Sequence, residues 1–283
     1  MIYISGSNGF IGKAIYLWLI KNHIDVMPLN RDNLFCSFPK NNEENVLIHC
    51  AWEGVLGRER NNNLQIANIK LANSILDFVE INNIKRVIAF GSQAEYGSPN
   101  KKVNENSPLN PTTLYGKTKI EVFNLLNENL SKKGVDFVWL RLFDPYGPGD
   151  RPEWFLPFII KNALSNNSPE LTLCTQSWDF IYIDDVCSCI ETILKSNIRK
   201  NDIFNLSSNN PIILKELVNK IFKIIAPNDA IPLFGKIEFR EDQVYYLHGC
   251  NEKLYTRYNW KPIVGIDQGI KATINFERQI LKN

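Results

Sequence analysis

Tyr115 and Lys119 stand four residues apart in Leu114-Tyr115-Gly116-Lys117-Thr118-Lys119, ahead of Ile120, Phe123, Leu126 and Leu130. That apolar spacing predicts a helix, with the phenol and the ammonium on one side of it. A phenol with a pKa of about 10 exchanges protons poorly at neutrality. A cation one turn away favours its phenolate and brings the pair toward general acid–base use. Ser92 closes the strand-like run Arg86-Val87-Ile88-Ala89-Phe90 within Gly91-Ser92-Gln93-Ala94-Glu95-Tyr96-Gly97-Ser98. Its hydroxyl can hydrogen-bond an oxygen that alternates between alcohol and carbonyl. Eliminating water from such a centre needs both a base and an acid beside the hydroxyl. Gln93 and Ala94 supply neither.

A hydride carrier has its own signature. Gly6-Ser7-Asn8-Gly9-Phe10-Ile11-Gly12 follows the strand-like Ile2–Ser5 and opens an apolar-faced helix. Glycines there allow a tight turn and close approach of backbone to a diphosphate, and the helix N-terminus meets the anion. The second strand ends in Leu29-Asn30-Arg31-Asp32. An acidic residue at its end would bind the adenosine ribose and repel a 2′-phosphate. Asn30 takes that place and Arg31 can face a phosphate, so the pattern favours NADP(H). A one-residue shift would restore a carboxylate through Asp32 and return the choice to NAD(H).

The elements that must position these groups are legible as two periods. Short apolar runs at Ile2–Ser5, Val26–Leu29, Val46–Cys50, Val87–Phe90 and Phe137–Leu142 look like strands buried on both faces. Between them Leu64, Ala67, Leu71, Ile75 and Phe78 gather on one face of a long helix. Such alternation implies right-handed βαβ units in an α/β Rossmann-type, doubly wound parallel sheet, with ligands beyond the carboxyl ends of the strands. After Phe143 the prolines and glycines of 145–152 end the regular pattern. A strand at Phe180–Ile183, a helix from about Asp184, a strand at Ile203–Leu206 and helices near 214–225 and 266–281 follow. We expect a dinucleotide-binding domain at 1–165 with returns near 178–206, and a smaller, interleaved sugar-nucleotide lobe at 145–177 and 207–283. Asp184-Asp185 reads as the charged start of a helix, and His49 as a packed histidine lining the cofactor pocket.

Together these segments resemble the extended short-chain dehydrogenase/reductase superfamily, in its nucleotide-sugar epimerase, dehydratase and reductase branch. The resemblance runs nearly end to end, from the Gly6–Gly12 loop through Val46–Ala51, Asn68, Ser92 with Tyr96-Gly97, and Tyr115 with Lys119. It continues through Leu140–Gly149, Asp179–Val186, Arg240 and Asn259-Trp260-Lys261-Pro262. It implies Ser92, Tyr115 and Lys119 as catalytic residues and Arg240 as a ligand of a sugar-nucleotide diphosphate. Expected cofactor contacts are Gly6, Ser7, Asn8, Gly9, Phe10, Ile11, Gly12, Asn30, Arg31, Cys50, Ala51, Asn68, Tyr115 and Lys119. Expected substrate contacts are Ser92, Gln93, Asp144, Trp154 and Arg240. Asp144 replaces a common asparagine, Trp178 a common arginine, and Glu241-Asp242 follow Arg240 where the family often has Gly-Asp. Without an acidic pair after Ser92, the resemblance points to a 4-ketoreductase of the kind exemplified by CDP-abequose and CDP-paratose synthases. A nucleotide-sugar 4-epimerase with bound NAD is the alternative, and a non-catalytic NADP-binding regulator a distant third. A homodimer through the helices of Tyr115 and Leu64–Phe78 is also implied.

Composition closes other routes. The 283 residues are 44% hydrophobic and 22% charged, with 32 basic against 30 acidic side chains and a net charge of +2. Such balance gives no reason to expect a nucleic acid or a membrane as partner. The apolar run Ala14–Ile20 is too short to span a bilayer, and the sequence opens on the strand-like Met1-Ile2-Tyr3-Ile4 without a basic segment leading into a signal core, so a cytoplasmic protein is expected. Six scattered cysteines and three histidines lack metal-ligand spacing. Reduced thiols and no metal are expected.

Overall fold

The computed structural model describes residues 1–30, 33–34, 36–38, 44–240 and 243–282. The first half alternates β1 (Ile2–Ser5), α1 (Phe10–Lys21), β2 (Val26–Leu29), β3 (Asn45–His49), α2 (Leu64–Ile81), β4 (Ile84–Ser92), α3 (Leu114–Lys132) and β5 (Asp136–Leu142). The second half interleaves β6 (Pro145–Tyr146), α4 (Phe155–Leu164), β7 (Glu170–Leu171), β8 (Ser177–Trp178), β9 (Ile181–Tyr182), α5 (Ile183–Lys195) and β10 (Asp202–Leu206). It ends with β11 (Ile212–Ile213), α6 (Leu214–Ile225), β12 (Leu233–Phe234), α7 (Glu252–Tyr258) and α8 (Ile266–Ile280).

Six strands form one parallel sheet in the order β10-β5-β4-β3-β1-β2. The chain runs outward from β1 to β2 on one side and resumes at β3 on the other, so the topological switch point lies between β1 and β3. Side chains alternate across the sheet with the period of two that a strand imposes. Ile4, Ile48, Ile88, Val138 and Leu140 face α1, α4, α5 and α6. Tyr3, Leu47, Val87, Ala89, Phe137 and Trp139 face α2 and α3. Both faces are therefore dry, which is why these strands read as continuous apolar runs. The doubly wound parallel sheet is the expected one.

The strand expected at Phe180–Ile183 is shorter than its pattern suggested. Only Ile181 and Tyr182 pair, with β6, and the helix begins at Ile183. Its two carboxylates do not cap it. Asp185 instead accepts the backbone N–H groups of Ile263 and Val264 at 2.9 and 3.1 Å, and so holds the segment leading into α8. At the far end of α5, the buried Arg86 of β4 donates to the carbonyls of Ile193, Ser196 and Ile198. No helix among the described residues is long and apolar enough to cross a membrane.

Candidate active site

Switch-point geometry begins at Gly6, whose φ of +74° suits glycine. A Cβ on Gly6 would stand 2.6 Å from the Ala51 nitrogen and 2.8 Å from the Cys50 carbonyl carbon. A Cβ on Gly12 would stand 2.2 Å from the Gly6 oxygen. The loop thus lies flat against the end of β3, and α1 starts behind it with no side-chain cap at Gly9. Backbone donors without a cap, on a loop with no side chains in the way, fit a dinucleotide diphosphate. Behind the loop, His49 shares a 2.7 Å hydrogen bond with Ser5 Oγ. Burial brings its pKa down to about 3, which favours the neutral ring.

The remaining expected cofactor residues are placed unevenly. Asn68 Oδ1 accepts the Glu53 N–H at 2.8 Å, and its Nδ2 donates to the Glu53 carbonyl at 3.0 Å and to the Gln65 carbonyl at 3.2 Å. Its effect on a cofactor passes through that backbone. Asn30, just after β2, accepts the Asn33 N–H on its Oδ1 at 2.9 Å. Arg31, on which the choice between NADP(H) and NAD(H) turns, lies outside the described residues, as does Asp32.

Ser92, Tyr115 and Lys119 come together at the carboxyl end of β4. Ser92 is the last residue of the strand; its N–H donates to Glu95 Oε1 at 2.9 Å and its Oγ accepts the Ala94 N–H at 3.2 Å. Glu95 is fully buried and paired with Arg141 at 2.7 Å, and it also accepts the Trp139 indole N–H at 3.1 Å. The turn that aims Ser92 is thus pinned by a buried ion pair. The signal was the capping-box spacing from Ser92 to Glu95, which sequence reasoning passed over. Gln93 and Ala94 fill the turn; Gln93 is buried and its Oε1 has no hydrogen-bond partner.

α3 is brought up to this turn by its cap and by one glycine. Thr113 Oγ1 accepts the Gly116 N–H at 3.2 Å. The next free donors, on Leu114 and Tyr115, go to Asn61 Oδ1 at 2.9 Å and to the Arg60 carbonyl at 2.8 Å. A Cβ at Gly116 would stand 2.4 Å from the Ala94 oxygen, so only glycine lets the helix approach this closely. Tyr115 is thereby brought beside Ser92, close enough for that side chain to act on its phenol.

Burial raises the pKa of Tyr115, while Arg60 and the Ser92 hydrogen bond pull it back down. Lys119, the cation expected one turn away, lies close to the phenol as well. Its Nζ lies 5.6 Å from the Tyr115 ring centre, but it donates to the Phe90 carbonyl at 2.7 Å and sits 3.5 Å from the centre of the Trp52 ring. Burial brings its pKa down to about 7, against the pull of Glu95 and Cys50.

Of the expected substrate residues, Asp144 follows β5, and burial pushes its carboxyl up to about 7, opposed by Arg60 and reinforced by Asp179. Trp154 precedes α4, with the Arg60 guanidinium 5.7 Å from its ring centre. Arg240 is exposed, its Nη1 3.6 Å from where a Cβ on Gly57 would stand. Arg60 itself was missed: in Gly57-Arg58-Glu59-Arg60-Asn61-Asn62-Asn63 it reads as polar loop. Among the described residues, no cluster of His, Cys, Asp and Glu could hold a metal ion.

The model of the NAD dependent epimerase/dehydratase family matches residues 2–207. The chain belongs to that family. The superfamily resemblance seen in its motifs holds, and the family is one of enzymes. Among curated proteins, a Methanocaldococcus jannaschii protein provisionally named a UDP-glucose 4-epimerase is 28% identical, over 98% of each chain. The CDP-abequose synthase of Salmonella typhimurium is 26% identical, over 96% of this chain and 97% of its own. Two solved structures share the fold. MoeE5 in complex with UDP-glucuronic acid and NAD aligns with a TM-score of 0.87 at 18% identity, over 99% of each chain. RMD from Pseudomonas aeruginosa complexed with NADPH aligns with a TM-score of 0.83 at 18% identity, over 97% of this chain and 98% of its own.

Proposed function

We propose that this family member is an NADP(H)-dependent reductase of a nucleotide-linked 4-keto-(6-deoxy)hexose. One observation carries the reaction type: Ser92 and Tyr115 come together at the carboxyl end of β4, and the turn that follows Ser92 offers Gln93 and Ala94 where an elimination needs an acid and a base. Glu95 is no substitute, because it is buried and ion-paired to Arg141. A bound nicotinamide cofactor supplies the hydride. Ser92 orients the C4 oxygen, Tyr115 gives that oxygen its proton, and Lys119 holds the nicotinamide ribose. The Gly6–Gly12 loop takes the diphosphate, with Cys50, Ala51 and, through Glu53, Asn68 lining the pocket. Asn30 and Arg31 favour the phosphorylated cofactor.

For the sugar nucleotide we propose Gln93, Asp144, Trp154 and Arg240, in a lobe formed by 145–177 and 207–283 against a dinucleotide-binding part at 1–165 with 178–206. Packing of α5 on α1, and of β10 on β5, supports that division. We place a homodimer contact on α2 and α3; the exposed Leu64 and Ile66 of α2 support it. The resemblance to CDP-abequose synthase supports the reductase, and that to the Methanocaldococcus protein supports a second reading, a 4-epimerase retaining NAD.

One assay separates them. Mixed with NADPH and a CDP- or dTDP-linked 4-keto-6-deoxyhexose, a reductase consumes one cofactor per sugar reduced. Interconversion of UDP-hexoses without net cofactor consumption would establish the epimerase instead.

A further inference from the structure

The Lys119 ammonium is buried, and the nearby carboxylate of Glu95 is paired with Arg141 instead of with it. Two contacts hold the charge. Nζ donates to the Phe90 carbonyl at 2.7 Å and lies 3.5 Å from the centre of the Trp52 ring. Trp139 stands farther off, at 5.9 Å, with its indole N–H spent on Glu95. An ammonium has three donors. With one on a carbonyl and one against an indole face, one is left for a ligand.

Trp52 is itself held in place. Its indole N–H donates to Gln65 Oε1 at 3.1 Å, and Gln65 is wholly buried at the start of α2. Gln65 Nε2 donates in turn to the carbonyls of Gly54 and Glu59, at 2.6 and 3.2 Å. The ring is therefore a wall fixed by the segment that follows β3. It also meets the Tyr115 ring edge-on, with centres 5.8 Å apart and planes at 79°. One immobilised indole touches both members of the α3 pair. A cation on such a face is held more firmly the less water reaches it.

We propose that Trp52 is a positioning residue of the active site: its indole face takes one N–H of the Lys119 ammonium and so fixes the direction of the donor that remains for the nicotinamide ribose. This rests on the reading of Lys119 as the residue that holds that ribose, and not on the identity of the sugar. The same seat keeps the ammonium beside Tyr115, so the action of the lysine on the phenol depends on it too.

Fluorine on an indole drains its face of electron density while nearly preserving its shape and its N–H. Tryptophans bearing one, two and four ring fluorines are placed at position 52 of the full chain, and NADPH and NADH are titrated against each. Both dissociation constants should rise in step with the fluorine count, by about 2–30-fold at most, the span a cation on an aromatic face provides. Trp52→Phe, which keeps a face, should retain more affinity than Trp52→Leu. In Lys119→Met the fluorine series should be flat, because the indole acts through the lysine. A flat series with Lys119 present, while Lys119→Met alone weakens both cofactors, would overturn this proposal and leave the reading of Lys119 standing. An equal slope in Lys119→Met would also overturn it, since Trp52 would then act on the cofactor directly. No effect of Lys119→Met on either cofactor would overturn the reading of Lys119 and this proposal with it. No sugar enters these titrations, so the reductase reading is tested separately by turnover.

Discussion

The Lys119 ammonium sits 3.5 Å from the centre of the Trp52 ring, an apolar seat for a charge. Burial outweighs the attraction of Glu95 and Cys50 and brings Lys119 down to about 7. From there up to its unfolded value of about 10.4, the unfolded chain holds a proton that the folded one has released. Folding therefore carries a penalty that is full below about pH 7 and fades as pH rises. In the cofactor-free protein, Lys119→Met should remove this pH dependence. Melting curves at about pH 7 and pH 9 should show the wild type gaining on the variant as pH rises; parallel behaviour would refute it.

Asp144 has the opposite slope. Its carboxyl, raised to about 7 by burial, keeps a proton between about pH 4 and 7 that the unfolded chain has lost. Stability from this group falls as pH rises through that window, and the cost is complete above it. Asp144→Asn should raise the melting temperature at about pH 8, with the gain shrinking toward about pH 5. A gain that does not vary with pH would point to packing instead of ionisation.

Tyr115→Phe deletes one hydroxyl. Cofactor binding should survive, and turnover should fall roughly 10²–10⁴-fold, the usual worth of general acid–base help. Lys119→Ala should weaken both turnover and cofactor affinity. Near-normal turnover in Tyr115→Phe would show that the proton comes from another group.

Glu95 and Arg141 form a pair that is almost wholly buried. Removing one partner strands the other: Glu95→Ala should cost about 3–5 kcal/mol in denaturant unfolding. A loss under about 1 kcal/mol, the range of exposed pairs, would mean that water reaches the site.

Asn30 and Arg31 should make NADPH bind more tightly than NADH, and Arg31→Ala should weaken NADPH selectively. Fluorescence titration of both cofactors decides this, and equal affinities would refute it.

The central sheet was legible because both of its faces are dry, so Ile48 and Leu47 are apolar although they point opposite ways. Ser92, Tyr115 and Lys119 were legible because their spacing to strand and helix ends is local. Arg60 was not. It sits in a polar stretch whose composition says only loop, and its place over Tyr115 is set by two hydrogen bonds from the start of α3. Sequence order cannot reveal a contact made across 55 residues by a backbone carbonyl. The environment of Lys119 was hidden similarly, since Trp52 meets it only once β3 and α3 are both in place. Asp184 and Asp185 do lie in the first turn of α5, as read, but the hold of Asp185 on residues 263 and 264 was hidden for a third reason, their distance along the chain.

That carboxylate, with Arg86 at the other end of the same helix, stitches the late chain to the parallel sheet. The consequence is mechanical. Among the described residues, ties at both ends of α5 and the pairing of β10 into the sheet oppose a swing of one half against the other. For the proposed sugar nucleotide, enclosure would then fall to the short segments around Arg60 and Trp154, with entry a matter of loops parting, and heat should melt the whole chain in a single step.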